Sequence, residues 1–430
     1  MKKFLEKLKR LFCGKDAHTK NAVRYLLIVL AFLMFLFFSN DFDLINVQKT
    51  AIVVALGIDR EEEEFLITSQ IAVPSASGAQ GESGAKNVDV VTKGKTVAQA
   101  LDKVNEKTGW YPKLVFCRLI LLGESATKEN VFDALEFFLR DEYIADDCLV
   151  AACEGKAQEL LAQKTPIDSA GALAVEKVLS THAQRVGTSL PNTLRLFAAS
   201  YFGESKSGFL PLVKAKALTE ESGGQNGNQA QKSQGGAKSQ GQGKSNGQGG
   251  TQSQGKSGEQ GQEEKVFSAG ETALFVDGKA VGKLNETESF TYALIKNQLR
   301  LAAYSLPYDG KTYTLTVKRS SPSLSLQIDE KSLLQVEIKM AMGISDVSKA
   351  QSLEDTVDVG DFPKELLGVA AENIEKEIFA LFEKCRAIGF DLFEAIDKLQ
   401  KYENEHFADK KDTLLQELEI SVRVQASSIR

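Results

Sequence analysis

Hydrophobic and polar positions alternate in two long stretches of the chain, and both stretches predict β-structure. In the first stretch, Thr50–Asp59 and Phe65–Val73 are short apolar runs rich in β-branched residues, and the charged segment Arg60–Glu64 lies between them. That pattern predicts a hairpin with a solvated turn. Val88–Thr92 has the same character and predicts a third strand.

Helical spacing follows directly after the third predicted strand. Apolar residues recur every three or four positions after Thr96, which is a suitable N-cap. The next apolar run, Leu114–Leu122, predicts a buried strand, and a second amphipathic helix and a strand at Leu149–Cys153 follow it. Strands that mix with helices in this way indicate an α/β or α+β domain.

The second stretch of β-structure begins with a clear hairpin. Asp277-Gly278 separates two short apolar runs and suits a two-residue type I′ turn. Three alternating runs then predict an antiparallel meander whose turns fall at Ser320–Ser323 and Asp329–Lys331. A long helix starting near Pro363 is expected to cover the dry face, and Leu418–Val424 predicts a final strand that returns to the same sheet.

Between these stretches, residues 222–262 contain only Gly, Gln, Ser, Lys, Asn, Glu, Thr and two alanines. Without aromatic or branched aliphatic residues, the tract cannot bury enough surface to offset the entropy of ordering, and we expect a disordered insertion. The sequence leaves open whether the insertion is a loop inside one domain or a linker between two.

The N-terminus combines a basic segment, residues 1–24, with an apolar run at Tyr25–Phe38. A positive flank before an apolar run places the N-terminus in the cytoplasm. The run is short for a membrane span, but neither a signal-peptidase pattern nor a lipobox cysteine follows it, so a retained helix is favoured over a cleaved signal peptide.

The predicted fold is α+β: a multi-domain, mixed α/β ectodomain of mostly antiparallel sheets packed by helices, with one N-terminal transmembrane helix. The predicted ranges, from the N-terminus onward, are a basic cytoplasmic segment 1–24, a transmembrane signal-anchor 25–40, an N-terminal α/β domain 41–213, a low-complexity insertion 214–266, and a C-terminal α/β region 267–430 that alternatively divides into 267–310 and 311–430.

Composition excludes several classes of function. The net charge is only −6 over 430 residues, and basic residues do not interleave with aromatic ones, so nucleic acid is not an expected partner. The five cysteines form no C-x-x-C pair and are expected to be small apolar core residues.

Candidate chemistry is sparse. Ser125-Ala-Thr-Lys128 fits the S-x-x-K pattern of acyl enzymes, but the companion S-D-N and K-T-G motifs are missing from the sequence. The three histidines are far apart along the chain, and no phosphate-binding glycine motif lies between a strand and a helix. No catalytic, cofactor-binding or metal-ligating residue is therefore assigned. Trp110, the only tryptophan, belongs either to a turn that contacts a partner or to the core.

Several segments, taken in order, resemble the Ger(x)C family of spore germination proteins, the C subunits of nutrient-germinant receptors. The segments that carry the resemblance are Val53–Asp59, Ile67–Pro74, Lys93–Leu101, Val115–Gly123, Leu135–Asp141, Ala273–Leu284 and, more weakly, Cys385–Asp391. They run from about residue 47 to the C-terminus, and none of them is a catalytic motif.

The resemblance implies a three-domain mixed α/β protein without known enzymatic activity or cofactor. It also implies assembly with an A-type and a polytopic B-type membrane subunit, at the spore inner membrane if the host sporulates, and the germinant itself is not expected to bind this subunit directly. Typical members are lipoproteins, so here a retained helix has to replace the lipid. The alternative function is an envelope enzyme of the acyl-transfer type that uses Ser125 and Lys128.

Overall fold

The computed structural model describes residues 17–38, 49–73, 86–140, 144–166, 168, 170–180, 187, 189–217, 265–329, 331–348 and 364–429. The tract 222–262 and the basic residues before Ala17 lie outside these residues. The helices are α1 Ala17–Phe38, α2 Val97–Thr108, α3 Glu124–Thr127, α4 Phe132–Arg140, α5 Ala157–Ala162, α6 Gly171–Val178, α7 Leu194–Phe202, α8 Glu286–Ile295, α9 Lys364–Ala387, α10 Ala395–Tyr402, α11 Asn404–Lys410 and α12 Leu414–Glu417.

The strands are β1 Thr50–Glu61, β2 Glu64–Val73, β3 Lys86–Gly94, β4 Tyr111–Lys113, β5 Leu119–Leu122, β6 Leu149–Cys153, β7 Asn192–Thr193, β8 Ser207–Ala217, β9 Lys265–Val276, β10 Lys279–Leu284, β11 Ala302–Tyr308, β12 Lys311–Ile328, β13 Ser332–Val347 and β14 Glu419–Ser428. The chain divides into a first unit that ends at Thr50 and a second, compact unit from Ala51 to Arg430.

Helix α1 is the described part of the first unit. It is 22 residues long, and its side chains from Arg24 to Met34 are exposed. Within the ranges that the structure describes, no helix combines the length and the apolar character needed to cross a membrane.

The described part of the second unit contains two sheets. Among the described residues, the larger sheet has ten strands in the order β10-β9-β8-β6-β5-β1-β2-β3, with β4 beside β1 and β7 beside β6. Strands β1, β5, β6 and β8 are parallel to one another, and antiparallel strands flank them on both sides. Helices α2, α4 and α7 cover one face, while α5 and α6 cover the other.

Burial on both faces explains the sequence of β5. Ile120 and Leu122 point to one core cluster, Leu119 and Leu121 point to the other, and all four side chains are buried. A parallel strand covered on both faces reads as a continuous apolar run rather than an alternating one.

The second sheet has the order β11-β12-β13-β14, and β14 pairs in parallel with β13. Helix α9 packs on this sheet and contributes a stripe of buried residues to its core: Leu366, Ala370, Ile374, Ile378, Leu381 and Cys385. The predicted long helix and the returning final strand are both confirmed.

Several local predictions are confirmed as well. The structure contains the hairpin of β1 and β2, the Thr96 N-cap, whose side chain accepts the backbone N–H of Gln99, and the hairpin of β9 and β10. Asp277 and Gly278 both adopt positive φ angles, 49° and 76°, as a type I′ turn requires. The mixed α/β fold rich in antiparallel pairs is confirmed.

The predicted turn at Ser320–Ser323 is wrong, because β12 continues through it and pairs with β13 along its length. Strand β11 pairs only with Lys311–Val317, so one edge of β12 is left unpaired by β11 beyond that point. Pro322, which has no N–H, is tolerated at such an edge. The pairing of β12 with β13 shifts register between Val317 and Arg319, which accommodates the change in the alternation of apolar and polar residues.

The predicted strand Leu114–Leu122 is also too long. Only Leu119–Leu122 is a strand, and the N–H of Cys117 donates to the carbonyl of Leu114 at 2.8 Å to close a turn. The side chains of Val115 and Phe116 in this turn are exposed.

The segment between Ala217 and Lys265 connects two neighbouring strands. Strands β8 and β9 pair in antiparallel fashion, and Ala217 lies directly opposite Lys265. The low-complexity tract therefore lies between two strands that are neighbours in one sheet.

Candidate functional site

The carboxyl ends of β1, β5 and β6 form the first candidate ligand site, because open α/β sheets bind ligands beyond the carboxyl ends of their parallel strands. Ser125 and Lys128 are the candidate acyl-transfer pair. Ser125 lies within α3, which begins just after β5, and Lys128 directly follows the end of this helix. An open cleft of about 400 Å³ lies here between the ends of β1 and α3.

Asp59, near the end of β1, is buried and has a structural role. Its carboxylate accepts the N–H of Ala157 at 2.8 Å and the N–H of Gln158 at 2.9 Å. These are the first residues of α5, whose N–H groups have no partner within the helix. Burial raises the pKa of Asp59, and the bonds from Gln158 and Ala157 offset part of that effect.

Gly123 follows β5 and fits against this carboxylate. A Cβ atom at Gly123 would lie 1.8 Å from Oδ1 of Asp59 and 3.1 Å from the nitrogen of Ala157. The Gly123 N–H also donates to the carbonyl of Ile58 at 2.8 Å. Two motifs that resemble the Ger(x)C family, Gly57-Ile-Asp59 and Gly123-Glu124, therefore meet in one packing contact.

Several charged side chains at the cleft form ion pairs. Arg60 contacts Glu129 at 2.9 Å, and Glu61 lies between Lys93 and Lys156. The bond from Lys93 and then that from Lys156 lower the pKa of Glu61. All three cations that line the cleft, Arg60, Lys128 and Lys156, thus have a carboxylate partner within the protein.

The structure gives Ser125 and Lys128 separate partners. The Oγ of Ser125 accepts the N–H of Arg60 at 2.9 Å, whereas the ammonium of Lys128 pairs with Glu124 at 2.9 Å. The bond from Lys128 lowers the pKa of Glu124. A nucleophile needs a base within hydrogen-bond reach, and these contacts direct Lys128 toward a carboxylate instead.

Other reactive groups are buried or dispersed. Cys117, Cys148, Cys153 and Cys385 are free and buried, as the sequence predicts. Burial raises the pKa of Cys385 to about 12, which disfavours the thiolate. Within the described ranges, no three His, Cys, Asp or Glu side chains converge as metal ligands. His182 lies outside these ranges.

The opposite ends of the parallel strands carry a second candidate, which we call the aromatic surface. It consists of Trp110, Tyr111, Val115 and Phe116, which are 48%, 43%, 50% and 56% exposed. Clustered exposed apolar side chains mark interaction sites more often than isolated ones do. Of the two alternatives for Trp110, the structure selects the exposed one.

Pairing within the sheet fixes the position of this surface. Strand β4, which begins with Tyr111, lies beside β1, and the N–H of Arg118 donates to the carbonyl of Val54 at 3.0 Å. Because β1 and β5 are parallel, the turn before β5 lies at the amino end of β1. The apolar run Leu114–Leu122 concealed this surface in the sequence, since a buried strand and an exposed turn have similar composition there.

Comparison with known proteins finds two matching domain models. Residues 43–215 match the model of the spore germination protein N-terminal domain, and residues 270–430 match the model described as spore germination B3/GerAC like, C-terminal. The crystal structure of the GerBC protein is similar with a TM-score of 0.48 and 14% identity, covering 87% of this chain and 97% of that one.

Two relatives from Bacillus subtilis (strain 168) are similar over shorter stretches. Spore germination protein B3 is 26% identical over 190 residues, which are 43% of this chain and 49% of that protein. Spore germination protein A3 is 30% identical over 139 residues, 31% of this chain and 36% of that protein. The alignments thus span half or less of these relatives. The two domain matches, in order and on both sides of the low-complexity tract, show that the chain belongs to the Ger(x)C family of spore germination proteins.

Proposed function

We propose that this chain is a membrane-held, C-type accessory subunit of a spore germinant receptor, and that it acts through contacts with A-type and B-type membrane subunits. The observation that carries the proposal is the match of both halves of the chain to the two spore germination domain models. Both similar proteins from Bacillus subtilis are named as spore germination proteins.

The proposed role is non-enzymatic. The separate partners of Ser125 and Lys128 support this, since an acyl-transfer pair has to be mutually in contact. The carboxylate partners of the three cations at the cleft support a subunit that does not itself bind the germinant. Its task is instead to present a rigid unit to its partners at the membrane.

The direct test is genetic. Deleting the gene in its host should abolish or slow germination on nutrients while leaving germination by a receptor-independent stimulus unchanged. A chain carrying S125A and K128A together should restore the nutrient response in full, and it should co-purify with the A-type and B-type subunits. A normal nutrient response without the gene would overturn the proposal, and failure of the double variant alone would favour acyl transfer.

Attachment to the membrane is the second part of the proposal, and α1 is the segment proposed to provide it. Its exposed side chains from Tyr25 to Met34 are apolar, and the sequence stays apolar to Phe38. Basic residues precede this run, which places residues 1–24 in the cytoplasm and the second unit outside it. In a sporulating host this membrane is the inner membrane of the spore.

A mass measurement tests the attachment. Membrane-extracted protein should still contain peptides from residues 1–24, and protease added to intact protoplasts should digest the chain beyond about residue 40. A mature N-terminus near Ser39 together with release into the soluble fraction would overturn retention of the helix.

The domain ranges stay part of the proposal, except that both ends of the range 214–266 belong to β8 and β9, so the proposed insertion lies between Ala217 and Lys265. Because Ala217 and Lys265 are paired neighbours, a short turn can replace most of the loop between them. Halving a flexible loop changes its closure free energy by only about 0.6 kcal/mol, so a trimmed chain should fold with nearly unchanged stability. Loss of the β8–β9 pairing after trimming would contradict this.

A further inference from the structure

The aromatic surface is presented by a well-fixed part of the chain. Next to its exposed members, Leu114 and Cys117 are buried, with exposures of only 5% and 1%. At its start, the N–H of Trp110 donates to the hydroxyl of Thr108 at 3.1 Å. Gly109, just before it, ends α2 in the left-handed conformation. Exposure of these apolar side chains is therefore a property of the fold and not of a fraying end.

The path of the chain suggests what covers this surface. Strand β1 begins at Thr50, and eleven residues, 39–49, separate it from the end of α1 at Phe38. Fully extended, such a connection reaches at most about 40 Å. If α1 is held in a membrane, as proposed above, the amino end of β1 is tethered within that distance of the bilayer.

The composition of the surface suits the boundary between lipid and water. Tryptophan and tyrosine are enriched at that boundary, because their rings are apolar and their N–H or O–H groups stay hydrated. Lys113, whose ammonium lies 5.9 Å from the ring centre of Tyr111, follows the aromatic pair, and Arg118 follows Phe116. Long basic side chains extend toward headgroups from such positions.

Net charge does not explain an attraction between the aromatic surface and lipid. Arg118 pairs with Glu176 at 3.1 Å, and Asp146 and Asp147 lie just before β6, which pairs with β5. Positive and negative groups are thus balanced around the aromatic surface. Contact with lipid should depend on apolar insertion, occur on zwitterionic membranes and change little with salt.

We propose that the aromatic surface docks onto the lipid headgroup region and so fixes the orientation of the second unit on the membrane. This inference rests on the proposed attachment through α1 and adds a second contact to it. Trp110, Tyr111, Val115 and Phe116 enter the interface, while the carboxyl ends of β1, β5 and β6 face away from the bilayer.

Trp110 is the only tryptophan in the chain, so its fluorescence reports on this surface alone. The full chain is reconstituted into phosphatidylcholine vesicles with and without bromine on the acyl chains, and vesicle attachment is measured separately by flotation. Contact with lipid should shift the emission to shorter wavelength and allow brominated chains to remove about half of it, since the ring sits at the interface. Quenching by aqueous acrylamide should fall.

Two phenylalanine-to-serine variants distinguish an effect specific to the aromatic surface from a general effect of the substitution. Phe116→Ser should weaken bromine quenching by several-fold. Phe379→Ser, which changes a side chain of similar exposure (51% against 56%) on α9 of the other sheet, should leave it unchanged. Equal quenching in both variants and the parent would overturn the proposal.

The remaining outcomes distinguish the two proposals. Chains that float with vesicles while Trp110 stays accessible to acrylamide would leave the attachment through α1 intact and overturn the docking of the aromatic surface. Chains that do not float would overturn both. Protection of Trp110 only in membranes that also contain the A-type and B-type subunits would assign the surface to a protein partner and overturn the lipid contact.

Discussion

The two ends of the parallel strands in the larger sheet contrast sharply. At the carboxyl ends, Asp59 is buried and bonded to two N–H groups, and several of the surrounding charged side chains form ion pairs. At the amino ends, four large apolar side chains of the aromatic surface are half exposed. At the carboxyl ends, where α/β sheets usually bind ligands, the cations have carboxylate partners within the protein, whereas the apolar side chains at the amino ends stay exposed.

This difference separates residues that specify the fold from residues available to a partner. The motif residues Asp59 and Gly123 are in contact with each other and hold α5 against β1 and β5. A resemblance concentrated on such residues indicates a shared fold more directly than a shared site. Substitutions at the carboxyl ends should therefore change the stability of the chain. Substitutions at the amino ends should instead change its interaction with a partner.

The largest effect is expected for Asp59→Ala. Loss of the carboxylate leaves the N–H groups of Ala157 and Gln158 without a partner in a buried place, and we expect a loss of about 3 kcal/mol in the free energy of unfolding. Chemical denaturation of the full chain measures it. Glu61→Ala, two residues further along, removes only solvent-exposed ion pairs and should have a much smaller effect. Equal losses would contradict the comparison.

Gly123→Ala should be the next most disruptive change. Its Cβ would lie 1.8 Å from Oδ1 of Asp59, which is held by two hydrogen bonds and cannot move freely. We expect a loss of roughly 1–3 kcal/mol. Gly368→Ala is the matched control, because nothing lies within 4 Å of its added Cβ in α9, and it should raise stability by about 0.5–1 kcal/mol.

A double-mutant cycle then tests whether the contact itself is responsible. In a chain that already carries Asp59→Ala, Gly123→Ala should cost clearly less than in the parent, because the clashing atom is gone. Strictly additive losses would show that the two residues act separately.

The sequence predicts much of the fold but little of this contact. The hairpin at Asp277-Gly278, the Thr96 cap and the stripe of α9 are local patterns, and each is confirmed. The bond from Ala157 to Asp59 joins residues 98 positions apart, so no local pattern reveals it. At the aromatic surface, the sequence left Trp110 between an exposed turn and the core, and it wrongly assigned Val115 and Phe116 to a buried strand, since an apolar run does not say which of its residues turn outward.

Glu377, a partly buried carboxylate on α9, is expected to make stability depend on pH. Glu377 accepts hydroxyl bonds from Thr291 at 3.0 Å and from Tyr304 at 3.3 Å, and burial raises its pKa above 4.5 although these bonds lower it in part. The folded chain then binds this proton more tightly than the unfolded chain does. The stability it contributes is present below pH 4.5 and is lost as the pH rises through the folded pKa.

Glu377→Gln removes this titration, so the stability of the variant relative to the parent should increase as the pH rises above 4.5 and through the folded pKa. Denaturation curves at several pH values measure it, and the gain should be smaller than the loss from Gly123→Ala. Glu372→Gln on the same helix is exposed and controls for the change in net charge. A relative stability that falls with rising pH would contradict the assignment.

The smallest effect on stability is expected at the aromatic surface itself. Phe116→Ser changes a side chain that is 56% exposed, so the free energy of unfolding should stay within about 0.5 kcal/mol of the parent value. Leu114→Ala in the same turn, where the side chain is only 5% exposed, should instead lose about 2–5 kcal/mol. Denaturation in detergent, away from vesicles, makes this measurement independent of lipid contact. If Phe116→Ser destabilised the chain as much as Leu114→Ala does, Phe116 would belong to the core, and the contrast between the two ends of the sheet would fail at its amino end.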